Sequence, residues 1–442
     1  MTKQFMKYLI SLFSILLLFV CFDQDGIQRH LNGRLAGQLV RLQDEGLESF
    51  SFLNSYIGTS EAEQAAYMKL KGLKRWSPIR NFEFNQYAYE NYIDIPEDAE
   101  WSYYLSAPRI HYVIASFIDQ FFYQLFGLHD NSIRINIILS FLSTVALFLF
   151  LTWVFQEFGL PVAGLTSLLL AVSSPFNFGN TTFYWMQIAP FIYLLFTKRR
   201  QRTSEDPIAL RKLVPFGLLF FVACLMSYEM VPTIALSALV PSIYYFSKSN
   251  PPLTIWFKET SRITMTIMLS FLAAFTSHYY MVKGHFGQHS ATIAYFKKRF
   301  VMRTYDFDKN VSTKLVEPLQ EALNTSLIDV LISFNLKSKG ILGLPEYQIL
   351  LTSLGLFLVL FLLNKKKKQS KQLALVCVLV ISFIGALARV IIFKSHGARP
   401  AHQEFITSSF TVPFHLIAIL ILSYFINLSF QSLALSLSSQ KS

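Results

Sequence analysis

A chain of 442 residues that is 53% hydrophobic, 16% aromatic and only 15% charged cannot hide its apolar surface in a water-soluble fold. Soluble domains carry about 25% charged residues. The net charge of +12 does not point to nucleic acid, because Lys and Arg cluster in short stretches beside apolar runs, as membrane topology requires. Cys21, Cys224 and Cys377 all sit inside apolar runs, so they read as core thiols rather than a disulfide framework or a metal site.

The N-terminus carries Lys3 and Lys7 and then an apolar run to Phe22. Leu18, Phe19 and Val20 are poor residues for signal cleavage, so 6–22 reads as an uncleaved anchor with a cytoplasmic N-terminus. Further spans are expected at 133–155, 160–175, 183–197, 213–229, 231–246, 262–281, 346–363, 372–393 and 408–426. The fold class is therefore an all-α polytopic membrane protein with about ten transmembrane helices, within a range of roughly nine to twelve.

Segment 109–126 is apolar enough to be another crossing. Six Lys/Arg between Lys198 and Lys212, and five between Lys365 and Lys371, belong in the cytoplasm. Both segments stay there only if 109–126 does not cross. Its polar stripe, Ser116, Asp119, Gln120, Tyr123 and Gln124, suits a juxtamembrane helix lying in the interface.

The expected organisation is an anchor (1–22), a first extracytoplasmic loop with juxtamembrane helices (23–132), and transmembrane helices two to seven (133–281). A basic extracytoplasmic loop (282–345) and a C-terminal part, 346–442, with the last three helices and a cytoplasmic tail complete it. The first loop holds 15 of the 27 acidic residues, whereas the second holds nine basic residues, Arg303 among them, against five acidic ones. Either both are solvated surfaces, or they form a cleft in which carboxylates able to take a proton face cations able to hold a phosphate.

Four stretches carry a family resemblance: FDQDG (22–26), YYLSAPRIHY (103–112), YQLFGLHDNSIR (123–134) and LLLAVSSP (168–175). In that order, over residues 6 to 200, they resemble the GT-C-fold glycosyltransferases, membrane enzymes that use polyprenyl-phosphate-linked sugars. The mannosyltransferases and aminoarabinose transferases belong to that superfamily. The chain departs from the family's pattern at Ser106-Ala107-Pro108-Arg109, where a His-Pro-Pro stretch is common, and in FNFGNTTFYWMQ, which lacks the usual acid.

The resemblance implies transfer of a hexose or pentose from a polyprenyl-phosphate donor to a lipid, glycan or protein acceptor outside the membrane. The lipid phosphate is a good leaving group, so the reaction chiefly needs a carboxylate base and cations to steady the phosphate. Asp23 and Asp25, directly after the first span, are the candidate bases, Asp25 favoured because Gly26 lets a backbone approach closely. Glu229, between two apolar spans, is the second candidate, since a carboxylate at membrane depth is costly to keep.

Arg389 and Arg399 are the candidate phosphate ligands, with His111 as a further substrate contact. No obligatory cofactor is expected. Asp306 and Asp308, like Asp23 and Asp25, have the spacing for a divalent cation. The bilayer is a partner and nucleic acid is not. The expected location is a bacterial inner membrane, with both termini cytoplasmic. Two other classes compete: an O-antigen polymerase or ligase working through late-loop Arg and His, and a lipid-linked-sugar flippase. The second lacks support from internal repeats or charged mid-span helices.

Overall fold

A computed structural model describes residues 132–173, 181–201, 207–312 except 227 and 250, 317–337, 341, 344–363, 369–398 and 410–439, with scattered positions between 118 and 127. The anchor at 6–22 and nearly all of the first loop lie outside the described residues.

Every element among the described residues is a helix. In chain order they are α1 (Ser132–Phe158), α2 (Leu160–Ala171), α3 (Thr181–Gln201), α4 (Leu210–Cys224), a 3₁₀ turn (Tyr228–Met230), α5 (Val231–Ser249) and α6 (Leu253–Phe286). There follow α7 (His289–Arg303), α8 (Glu317–Asn324), α9 (Leu327–Lys337), α10 (Glu346–Leu363), α11 (Gln369–Ile392) and α12 (Leu416–Ser439). Each of the nine spans expected from residue 133 onward overlaps one of these helices, although 213–229 runs five residues past α4 and 408–426 begins eight residues before α12.

Four helices are long and apolar enough to cross a bilayer: Tyr228–Ser249, Leu253–Gly284, Ser370–Ile392 and Pro413–Ala434. The chain is an integral membrane protein. The surface of α6 says the same. Met265, Met268, Leu269 and Leu272 form a stripe at helical spacing, each more than half exposed. Such a stripe is unstable in water and suits lipid. At 34 residues, α6 is about 51 Å long. It begins nine residues before the expected span, so Lys258, Glu259 and Arg262 extend it past the hydrocarbon. Gly287, at φ +69, ends it in the left-handed conformation, its N–H bonded to the Lys283 carbonyl at 2.8 Å.

Helices approach closely where small residues allow it, as lipid-embedded packing requires. Gly217 on α4 accepts a hydrogen bond from Ser270 Oγ of α6 at 2.9 Å, and a Cβ there would meet Thr266 Cγ2 at 3.0 Å. Gly385 on α11 accepts one from Thr233 Oγ1 of α5 at 3.3 Å, and a Cβ there would stand 3.2 Å from Leu236 Cβ. The core is apolar and aromatic, with Phe150, Trp153, Phe191, Tyr244, Phe410 and Phe414 fully buried.

One end of the bundle gathers the basic residues. Glu157, at the end of α1, pairs with Lys248 of α5 and lies 3.4 Å from Arg199 Nε of α3. Tyr245 donates to it at 3.4 Å, and Lys371 of α11 donates to its backbone carbonyl at 2.9 Å. Beside it, Glu259 of α6 accepts from Lys198 Nζ at 2.7 Å and Ser242 Oγ at 2.6 Å. Glu157 and Glu259 are both buried.

Removing one partner from a buried ion pair costs about 3–5 kcal/mol. Glu157→Ala is therefore expected to lower stability by about 3 kcal/mol, read as thermal unfolding in detergent. Lys298→Ala, at an exposed site, should fall within about 0.5 kcal/mol of the parent. Equal effects would remove Glu157 as the tie between these helices.

Candidate functional site

At the other end of the bundle an acid and two arginines from distant segments converge. Helix α4 stops at Cys224, and the chain re-enters the bundle through the turn Tyr228–Met230. Pro232 lies in the first turn of α5, where its missing N–H costs nothing. Glu229 stands just before that helix, and the positive end of the helix dipole favours its charge. Its carboxylate receives Arg303 Nη1 at 2.7 Å and Arg389 Nη2 at 3.6 Å. Arg303 ends α7 and Arg389 lies in the last turn of α11, positions where a helix dipole favours a cation. All three side chains are buried.

A covering layer surrounds this cluster. Ser395, in the short helix Lys394–Ala398, donates its N–H to the Thr304 carbonyl at 3.1 Å and its hydroxyl to the Met302 carbonyl at 3.1 Å. Lys394 Nζ donates to the carbonyls of Leu323 at 2.7 Å and Thr325 at 2.8 Å, joining the end of α8 to α11. Burial pushes the Lys394 ammonium below its ordinary pKa. Tyr305 donates its hydroxyl to the Ile391 carbonyl at 2.5 Å. The segment expected to be a basic outer loop is thus a folded helical cap anchored on α11.

Two further polar pairs lie in helices that the sequence reads as plain spans. His278 of α6, fully buried, holds Nδ1 3.0 Å from the Tyr228 hydroxyl. His415 Nε2 stands 2.6 Å from Glu346 Oε2, with neither side chain exposed. His415 lies in a π-helical turn, Thr411–His415, which contains Pro413. Such wide turns recur at functional sites. Its Nδ1 has no hydrogen-bond partner among the described residues. A signal for this pair was present in the sequence: Glu346 opens an apolar span and His415 sits inside one, and ionisable residues in spans are functional candidates by default.

Of the residues singled out from sequence, Glu229 and Arg389 come together. Arg303 joins them, although nothing in the sequence separated it from the other basic residues of its loop. Asp23, Asp25, His111 and Arg399 lie outside the described residues. Asp306 is exposed, and Asp308 is engaged by Lys297 Nζ at 2.5 Å and by the Asn310 N–H at 3.0 Å. Among the described residues no three His, Cys, Asp or Glu side chains gather to hold a metal ion.

Comparison with family models, curated proteins and solved structures finds no match for this chain.

The pairing of Glu229 with two buried guanidiniums has a measurable consequence. Glu229→Gln should destabilise the protein by about 3–5 kcal/mol, because two buried cations then lose the carboxylate they share. Combining it with Arg389→Met should recover part of the loss, giving a coupling of roughly 1–3 kcal/mol in a double-mutant cycle. Strict additivity would dissolve the cluster as an energetic unit.

Proposed function

We propose that the chain is a polytopic membrane glycosyltransferase of the GT-C type, moving a sugar from a polyprenyl-phosphate donor to an extracytoplasmic acceptor. The observation that carries this reading is the convergence of Arg303 and Arg389 on Glu229 at the end of the bundle remote from the basic cluster. A guanidinium is a planar fork that binds two phosphate oxygens at once. Two of them held in place before the donor arrives form a preorganised site for a departing lipid phosphate.

The orientation follows from charge. Lys198, Arg199, Lys248 and Lys371 gather at one end. Cytoplasmic flanks collect such residues, so this end faces the cytoplasm and the arginine cluster faces outward. Nine helical spans after residue 132, with the anchor at 6–22, then make about ten crossings. Segment 109–126 lies in the outer interface. Its described residues Ile118, Phe121, Phe122, Leu125 and Phe126 are helical, and Gly127 follows them at φ +61. Phe121, Leu125 and Phe126 are exposed, as a helix lying on lipid requires.

In the reaction the acceptor hydroxyl oxygen attacks the anomeric carbon. The carbon–oxygen bond to the lipid phosphate breaks, and the phosphate leaves with the bonding electron pair. The acceptor proton passes to a carboxylate. Glu229 is poorly suited to take it, because its two oxygens are engaged by Arg303 and Arg389. Its part is to position the arginines. The base is Asp25, with Asp23 as its neighbour.

Asp25→Asn keeps the shape and removes the proton acceptor. In nanodiscs, assayed with a panel of radiolabelled polyprenyl-phosphate hexoses and pentoses, it is expected to lose at least about 100-fold in transfer, the lower range of general-base contributions. Retained activity would favour the ligase-type mechanism, which draws on the same arginines without an acid beside the first span. Orientation has its own check in a variant lacking the three native cysteines. Arg200→Cys should react with a membrane-impermeant maleimide only after membranes are opened, and Asn310→Cys in intact cells. The reverse pattern would invert the site.

A further inference from the structure

A cavity of about 600 Å³ opens between α1, α3 and α4, on the flank of the bundle, and its form is that of a trough. Helix α3 supplies the floor through Ala189, Ile192, Tyr193, Phe196 and Arg200. These positions recur at the three- and four-residue spacing of a single helix face. One wall is α1, whose contributions from Leu142 to Leu149 follow the same spacing, and the other is α4, through Lys212 and Leu219.

The lining changes character along its length. From Ala189 to Phe196 it is almost wholly apolar, and it ends at the basic end of the bundle with two cations, Arg200 and Lys212. Neither forms a salt bridge to an acid among the described residues. Arg200 is exposed and Lys212 half-buried, so both can reach a group at the surface. The Tyr193 hydroxyl donates to the Lys212 carbonyl at 2.7 Å, which fixes the first turn of α4 beside the floor.

The dimensions identify what would fill it. Ala189 to Arg200 is eleven steps along α3, or about 16 Å at the helical rise. One leaflet of the hydrocarbon core is half of about 30 Å. The trough therefore runs from the middle of the membrane to the interface on the basic side. A free inorganic anion would use only the end of it. A neutral lipid would offer no net charge to the two cations at its end.

We infer that this trough is a binding site for one anionic phospholipid of the cytoplasmic leaflet, its acyl chain lying along α3 and its phosphate between Arg200 and Lys212. Anionic lipids are drawn to basic residues beside a span, by about fivefold in affinity for each Lys or Arg near the surface. The site lies at the opposite end of the bundle from the arginine cluster. It requires the charge-based orientation but not the transfer reaction.

The test is native mass spectrometry of the full chain, titrated with phosphatidylglycerol and with phosphatidylcholine of the same acyl chains. One phosphatidylglycerol should be retained at least about fivefold more tightly than phosphatidylcholine. Arg200→Gln with Lys212→Gln should abolish that preference. The other four Lys/Arg between 198 and 212 remain to hold the topology. Ala189→Phe, which fills the floor, should weaken both lipids, with unchanged thermal unfolding as the sign that the bundle is intact. Millimolar inorganic phosphate should not displace the bound lipid. Equal retention of the two lipids by the parent protein, or an undiminished preference in the double variant, would overturn the site. So would displacement by phosphate alone.

Discussion

The carboxylate of Glu157 sets the height at which four helices end, and the rest of the bundle follows from that level. It ends α1, receives Arg199 from α3 and Lys248 from α5, and its own carbonyl receives Lys371 from α11. In hydrocarbon no water is present to solvate a charge that slips inward, so each of these contacts resists sliding of its helix along the bundle axis. From Lys248 back to Glu229 on the α5 side is 19 residues, and from Lys371 to Arg389 on α11 is 18. At the helical rise these are about 28 and 27 Å, close to the thickness of the hydrocarbon. Pairing at one end thereby brings Glu229 and Arg389 level at the other. Between them, the contact of Gly385 with Leu236 and Thr233 keeps the two axes close enough for a guanidinium to reach the carboxylate.

The two ends solve the same electrostatic problem differently. At the basic end, Glu157 and Glu259 each neutralise cations that stand partly in water, with Lys198 and Arg199 at 16% and 28% side-chain exposure. Those cations keep some hydration, and the acids serve as ties. At the other end Arg303 and Arg389 are at least as buried as the acid they share. Burying two cations on one carboxylate is a poor way to gain stability, because each ion gives up its hydration. The cluster therefore holds its geometry at a cost in hydration that the basic end avoids.

The helices were legible in the sequence because lipid imposes a simple rule. Long apolar runs have no other structure available to them, so the spans drawn from residue 133 onward coincide with helices to within a few residues over most of their length. The boundaries that differ most are those of α4, α6 and α12: the span 213–229 runs past Cys224 where α4 stops, α6 begins nine residues before its span, and α12 continues to Ser439. Hydropathy registers the end of the oil, not of the helix. The polar contacts were much less legible. Glu229 stood out as an acid between two spans, and Arg389 as a cation at the end of one. Arg303 did not, because it shares a loop with eight other basic residues and meets its partner across 74 positions of chain. Glu346 and His415 are 69 residues apart, and only packing brings them together. Sequence marks the costly residues; the fold decides which of them share the cost.

Whether Glu229 takes a proton or holds cations is decided by its neighbours. A general base must offer a lone pair to the acceptor and tolerate becoming neutral. With Arg303 at 2.7 Å and Arg389 at 3.6 Å, protonating Glu229 would weaken its pairing with two buried cations. The same pairing serves well if the arriving negative charge is the donor phosphate. Glu229 would then space the guanidiniums and limit their repulsion, and a phosphate would meet donors already in place rather than side chains it must first order. Proton transfer and phosphate binding therefore call for different carboxylates. The pairing of Glu229 with two guanidiniums suits the second task and not the first.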